Sequence, residues 1–269
     1  MKLKPVTPKS SKKDVRLDDS DAHVHGDVKS DDELAEASAK EVERISDLQR
    51  VFYADARHAM LIVLQGRDAA GKDGTIRKVF SAVNPQGCTV SSFKAPTELE
   101  LRHDYLWRVH QQVPPRGMIG IFNRSHYEDV IVPRVHGWID KKTWLARYDE
   151  INDFERMLSS NGVVILKFLL HISRDEQKKR LEERLTDKEK NWKFRAGDLD
   201  DRRQWDDFTK AYRGILTHTS TKWAPWYVVP ADDKPVRDWL IARTIADAME
   251  DLDPKYPAAD PSIVGLEIE

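Results

Sequence analysis

The stretch Gly66-Arg67-Asp68-Ala69-Ala70-Gly71-Lys72 constrains this chain more than any other. It follows the apolar run Leu61-Ile62-Val63-Leu64 and leads into a helical pattern. Glycine, four residues, glycine and lysine is the spacing of a phosphate-binding loop. Glycines let successive backbone N–H groups curl around phosphate oxygens, and the lysine adds a mobile cation. The helix that follows points its positive end at the same place. An ordinary glycine-rich turn gives no reason for the lysine. Gly66, Arg67, Ala69, Ala70, Gly71, Lys72, Asp73, Gly74 and Thr75 are therefore assigned to phosphate binding.

Two positions depart from the usual loop. Asp73 stands where Ser or Thr would normally touch Mg²⁺, and Thr75 comes two residues late. Asp68 lies inside the loop, where a carboxylate repels phosphate unless a cation sits between them. Asp68 is expected to hold or orient Mg²⁺; the alternative is a carboxylate that caps the next helix.

Around the loop, short apolar runs alternate with helical patterns. The strand candidates are Ala59–Gln65, Cys88–Phe93, Met118–Phe122, Val163–Leu170 and Trp226–Val229. Helical patterns cover Lys72–Val83, Thr97–Gln112, Ser125–Ser160, Asp175–Leu185, Asp200–Thr217 and Lys234–Asp251, with another starting at Asp31. Unbroken apolar strands are buried on both faces. Strand–helix alternation then predicts an α/β fold, a parallel five-stranded sheet with helices on both sides. Residues 1–30 are polar and read as an arm that is flexible or lies on the surface, before a domain over 31–269.

A second cluster follows the strand Met118-Ile119-Gly120-Ile121-Phe122: Asn123-Arg124-Ser125-His126-Tyr127-Glu128-Asp129. Such a strand usually ends in an aspartate that serves the metal, and here it ends in the weaker ligand Asn123. Glu128 and Asp129 restore the negative charge and are the candidate metal ligands with Asp68. Arg124 sits at the strand's C-terminal end, where open α/β sheets bind ligands, and its planar fork suits phosphate oxygens.

These motifs, with Asn191-Trp192-Lys193-Phe194 and Ala224-Pro225-Trp226-Tyr227-Val228-Val229-Pro230, resemble the family-two polyphosphate kinases from about residue 40 to 255. The resemblance implies a three-layer α/β/α P-loop kinase fold, thymidylate-kinase-like, with a helical lid. It implies Mg²⁺ dependence, inorganic polyphosphate as phosphoryl donor, and a homodimer or homotetramer. Asn123 together with Glu128-Asp129 resembles the branch that phosphorylates both AMP and ADP, giving ADP and ATP. Asp68, Lys72, Arg124 and Asp129 are then the catalytic residues, and Arg124 and Arg134 are expected at the nucleotide. The lid corresponds to about 174–203, where eleven Lys/Arg stand against nine Asp/Glu. Arg180 and Arg184 share one helix face. Arg184, Lys190 and Lys193 are expected to contact the polyphosphate chain. The bland alternative is a solvated charged helix.

Other features narrow the function. A net charge of -2 does not suggest a nucleic-acid partner, although 59–134 carries ten Lys/Arg against seven Asp/Glu. Cys88 is the single cysteine, which excludes an internal disulfide and fits a reducing compartment. No apolar stretch follows the basic Met1-Lys2-Leu3-Lys4 and no run is long enough for a bilayer, so a cytoplasmic protein without membrane partners is expected. His103 and His110 have no carboxylate or cysteine in ligand register, which argues against zinc. Two rivals stay open: an ATP-dependent nucleoside monophosphate kinase, and a non-catalytic polyphosphate- or nucleotide-binding module.

Overall fold

The computed structural model describes residues 1–7, 15–24 and 30–263. Strands β1 (Ala59–Gln65), β2 (Cys88–Ser92), β3 (Ile119–Asn123), β4 (Val163–His171) and β5 (Trp226–Pro230) form one sheet in the order β2-β3-β1-β4-β5. Every pairing is parallel. β1 is buried along its whole length, as its unbroken apolar sequence requires. Side chains alternate across a strand, so β1 feeds two cores. Met60, Ile62 and Leu64 meet α1 (Asp31–Asp55), α2 (Lys72–Val79) and α9 (Lys234–Asp251) through Ile45, Phe52, Val79 and Ile245. Leu61 and Val63 meet α4 (Glu128–Val135), α5 (Lys141–Ser160) and α8 (Trp205–Thr219) through Val130, Ile151 and Ile215. The result is three layers. Helices α3 (Trp107–His110), α6 (Arg174–Thr186) and α7 (Gly197–Arg203) complete the set among the described residues.

Four predicted helical patterns end early or divide, the first being Lys72–Val83, which stops at Val79. Thr97–Gln112 forms only a 3₁₀ turn, Glu100–Arg102, and the single turn of α3. Ser125–Ser160 divides into α4 and α5, because Gly137 adopts a left-handed φ of 69° and Asp140 accepts from Thr143 N to start a new helix. Asp200–Thr217 divides into α7 and α8 at Gln204.

The described parts of the N-terminal segment are not a free arm. Leu17 and Ala22 are buried. Val6 N donates to Trp226 O at 2.7 Å, Val15 N to Thr217 Oγ1 at 2.8 Å, and Arg213 to Leu17 O at 2.7 Å. Of the two readings of the arm, its described parts lie on the domain, their main-chain groups hydrogen-bonded to α8 and β5, while residues 8–14 and 25–29 lie outside the described residues.

Candidate active site

The strand order reverses around β1, and the C-terminal ends of β1 and β3 open into one crevice. Ligands bind at such switch points in open α/β sheets. The loop after β1 leaves the strand at Gly66, with φ 152°, where an added Cβ would lie 2.6 Å from Leu170 O. Ala69 (φ 65°) and Gly71 (φ 102°) take left-handed conformations, which curl the loop. Lys72 opens α2 and is buried, donating through Nζ to Gly66 O (2.7 Å) and Arg67 O (3.2 Å). Burial, aided by the Arg124 charge, pulls its pKa down to about 8 against the attraction of Asp68, Glu128 and Asp73. Among the described residues no carboxylate lies in hydrogen-bond reach of this buried cation, and an incoming anion would satisfy it.

Arg124 follows β3 with φ 62°, and its N donates to Leu64 O at 3.0 Å. A left-handed non-glycine costs on the order of 1 kcal/mol, and here it turns the guanidinium into the crevice. Arg124 Nη2 lies 2.9 Å from Asp68 Oδ1 and Nη1 lies 3.5 Å from Glu128 Oε2. Burial works against its charge, but Glu128 and Asp68 hold it still more firmly protonated. Burial also raises the Glu128 pKa, with Arg124 and Lys72 opposing. The crevice is lined by Gly66, Arg67, Asp68, Arg124, Glu128, Ile131, Val132, Gln177, Asp201, Phe208 and Tyr212.

The predicted residues divide by geometry. Asp68, Lys72, Arg124 and Glu128 come together. Asp129 does not line the crevice; its carboxylate accepts from Arg108 Nη2 at 2.9 Å. On α4 the two acids are successive, and the packing of Val130 and Ile131 turns Glu128 inward. Arg134 lies 4.1 Å above the Trp144 ring and donates to Tyr148 Oη at 2.8 Å, away from the lining. Arg67 stacks 3.6 Å over Trp205 and donates to Trp205 O and Thr209 Oγ1. Thr75 is buried and donates to Asp238 Oδ1 at 2.8 Å, so its hydroxyl is already engaged. Gly74 lies in the first turn of α2 beside Arg237. Asp73, whose carboxylate is mostly exposed, accepts from Asn123 Nδ2 at 2.8 Å and lies 3.3 Å from Lys193 Nζ. The candidate lid cations are unevenly placed. Lys193 reaches the loop helix, Arg184 pairs with Asp198 at 3.4 Å, and Lys190 pairs with its near neighbour Asp187 at 2.8 Å.

Sequence reasoning missed Gln177, Asp201, Phe208 and Tyr212. Each is an ordinary residue of an amphipathic helix until the fold brings it to the crevice.

Known proteins resemble this chain in sequence and fold. The family described as Polyphosphate kinase 2 matches residues 28–257. An AMP/ADP-polyphosphate phosphotransferase of Meiothermus ruber is 53% identical over 226 residues, 84% of this chain and 85% of that protein. An ADP-polyphosphate phosphotransferase of Rhodopseudomonas palustris is 49% identical, over 82% of this chain and 81% of its own. The crystal structure of Polyphosphate Kinase 2 from Arthrobacter aurescens superposes with a TM-score of 0.87 at 38% identity, over 98% of this chain and 96% of that one. With the loop, the strand-end arginine and the three layers in place, the match over most of its length assigns this chain to the polyphosphate kinase 2 family.

Proposed function

We propose that this protein transfers the terminal phosphoryl group of inorganic polyphosphate to AMP and to ADP, giving ADP and ATP, and that the reaction is reversible. One observation carries the reading. Arg124, from the end of β3, lines one crevice with the carboxylates Asp68, Glu128 and Asp201, and Lys72, buried at the start of α2, lies within electrostatic reach of Arg124, Asp68 and Glu128. The relatives' names supply the substrates.

The chemistry follows from charge. A nucleotide phosphate oxygen is already ionised near neutral pH, so it attacks the terminal phosphorus without a general base. The obstacle is the meeting of two polyanions. Lys72, Arg124 and the backbone N–H groups of 66–72 neutralise charge as it spreads over the transferred group. Ile131, Val132 and Phe208 give the crevice an apolar part of its lining. We read residues 174–203 as the lid, with Lys193 the cation best placed to meet polyphosphate and Arg184 and Lys190 more peripheral.

The residues fit Mg²⁺. Asp68 and Glu128 flank Arg124 from two sides, and the upward shift of Glu128 marks a carboxylate that a cation would relieve. Among the described residues no group of three or more His, Cys, Asp or Glu could hold a metal alone. Mg²⁺ commonly takes one or two carboxylates and completes its shell with water and substrate phosphates. When bound, it would add charge neutralisation at the phosphates. Asp68 and Glu128 are the proposed ligands, and the pairing of Asp129 with Arg108 speaks for a supporting role there.

Among the described residues no helix is long and apolar enough to cross a membrane. We read the protein as a cytoplasmic homo-oligomer, a dimer or tetramer, with polyphosphate and adenine nucleotides as its partners.

The test is purified protein with Mg²⁺, polyphosphate and either AMP or ADP, with nucleotides separated by chromatography. Products from both acceptors are expected. ATP from ADP with AMP inert removes the dual acceptor reading. Turnover with ATP but not polyphosphate as donor replaces the reading with a nucleoside monophosphate kinase. No turnover at all leaves a binding module.

A further inference from the structure

Every carbonyl of the phosphate loop from Gly66 to Ala70 accepts a side-chain hydrogen bond. Gly66 O and Arg67 O take Lys72 Nζ. Asp68 O takes Gln177 Nε2 at 3.1 Å. Ala69 O takes Arg180 Nη1 at 3.1 Å. Ala70 O takes Arg237 Nη1 at 3.1 Å and Arg180 Nη1 at 3.4 Å. Both arginines are almost fully enclosed, Arg180 at 5% exposure and Arg237 at 2%.

Neither guanidinium is free to swing toward a ligand. Arg180 spends Nη2 on Ala231 O (2.8 Å) and Asp232 O (2.7 Å) and Nε on Glu176 (2.7 Å). Arg237 is forked onto Asp238, at 2.8 and 3.0 Å, and Asp238 also accepts from Thr75. Arg237 lies so close to Gly71 that an added Cβ would meet Nη1 at 2.0 Å. Gly71 is thus glycine for contact as well as for its left-handed φ.

We infer that Arg180 and Arg237, helped by Gln177, are positioning residues that pin the carbonyl face of the loop and so present its N–H face to polyphosphate. The N–H and C=O of one peptide point in opposite directions, so anchoring the oxygen from behind aims the hydrogen forward. An anion nest made of successive N–H groups depends on that aim, and small misplacements at such a site are costly. Arg180 was grouped by sequence with Arg184 as a lid cation. Its burial under the loop gives it the different task of joining the root of α6 to the loop and to the turn after β5. This inference rests on the proposed donor being polyphosphate.

The test uses Arg180→Lys and Arg237→Gln in the full-length protein, with wild type alongside. Polyphosphate KM, nucleotide KM, kcat and the melting temperature are measured, together with calorimetric binding of tripolyphosphate. For each variant we expect polyphosphate KM and the tripolyphosphate Kd to rise about ten- to a hundred-fold. Nucleotide KM should change less than about threefold, and millimolar guanidinium should restore part of the loss in an Arg237→Ala protein. Equal weakening of polyphosphate and nucleotide, or activity that falls only with the folded fraction, would overturn the inference and leave both arginines as fold residues. Should the arginine variants fail to fold, Gln177→Ala takes their place, with a several-fold rise in tripolyphosphate Kd expected and no change counting against the inference. Inactivity of the wild type toward polyphosphate, by contrast, defeats the functional reading itself.

Discussion

Lys72 and Lys167 are both buried, and burial pulls each of their pKa values down to about 8. Their surroundings differ completely. Lys167, in the middle of β4, has Glu155 at 2.6 Å, Tyr127 Oη at 2.8 Å and Thr219 O at 2.7 Å. Glu155 also accepts from Tyr127 Oη at 2.9 Å and lies 3.1 Å from His126 Nε2. Against the cost of burial, Lys167 and His126 hold the Glu155 pKa below the usual carboxylate range, so the pair stays ionised and closed. Among the described residues Lys72 has two carbonyls as hydrogen-bond partners, both from the loop whose residues Gly66, Arg67 and Asp68 line the crevice. A depressed lysine pKa therefore does not by itself mark a functional residue. The missing counter-charge does, because it leaves affinity to be supplied by a ligand.

Breaking the closed network should give the largest effect. Lys167→Met leaves the buried Glu155 carboxylate without its lysine and is expected to cost about 3–5 kcal/mol in urea unfolding. The double change Lys167→Met with Glu155→Gln should recover most of that. Equal cost for single and double variants would show that the pair is not the unit of stability.

Lys72→Met should do the reverse, with stability unchanged or slightly raised and turnover lower by about two to three powers of ten. Loss of folding instead of turnover would erase the contrast between the two lysines. The same contrast predicts a pH signature. Lys72 binds an anion only when protonated, so polyphosphate KM should be flat below about pH 8 and rise above it. Bound phosphate favours the proton, so kcat should hold to higher pH than kcat/KM. A Lys72→Arg protein, however impaired, should lose that upward break, since its guanidinium does not titrate in this range.

The acids sharpen the comparison on a smaller scale. Glu128→Gln removes a carboxylate that faces the crevice and should cut turnover about a hundred-fold. Asp129→Asn keeps a hydrogen-bond acceptor for Arg108 and should lose about ten-fold or less. Equal losses would return Asp129 to the metal site.

The smallest effect belongs to the lid. Lys193→Ala should raise polyphosphate KM a few-fold and flatten the log–log dependence of affinity on salt by about one unit. Arg184→Ala and Lys190→Ala should do less, because Asp198 and Asp187 already hold those cations. Lys12 and Lys13, natural control charges, lie outside the described residues. Identical salt slopes for all of these variants would reduce the lid to a solvated helix.

Features written in consecutive residues were legible without the fold. The loop Gly66–Lys72, its preceding strand and all five strand positions follow from apolar runs and glycine spacing, which are local physics. So does the joint appearance of Asp68, Lys72 and Arg124, since parallel strands deliver their C-terminal ends to one side. The choice between Glu128 and Asp129 was not legible. Neighbouring helix residues point about 100° apart, and only the packing of α4 sets which of them faces the crevice. Arg180 and Arg237 were invisible as loop braces. They lie 110 and 167 residues from the Ala70 carbonyl that both of them hold. No spacing rule reaches that far, because such a contact forms only once the sheet has closed and the buried carbonyls must find donors.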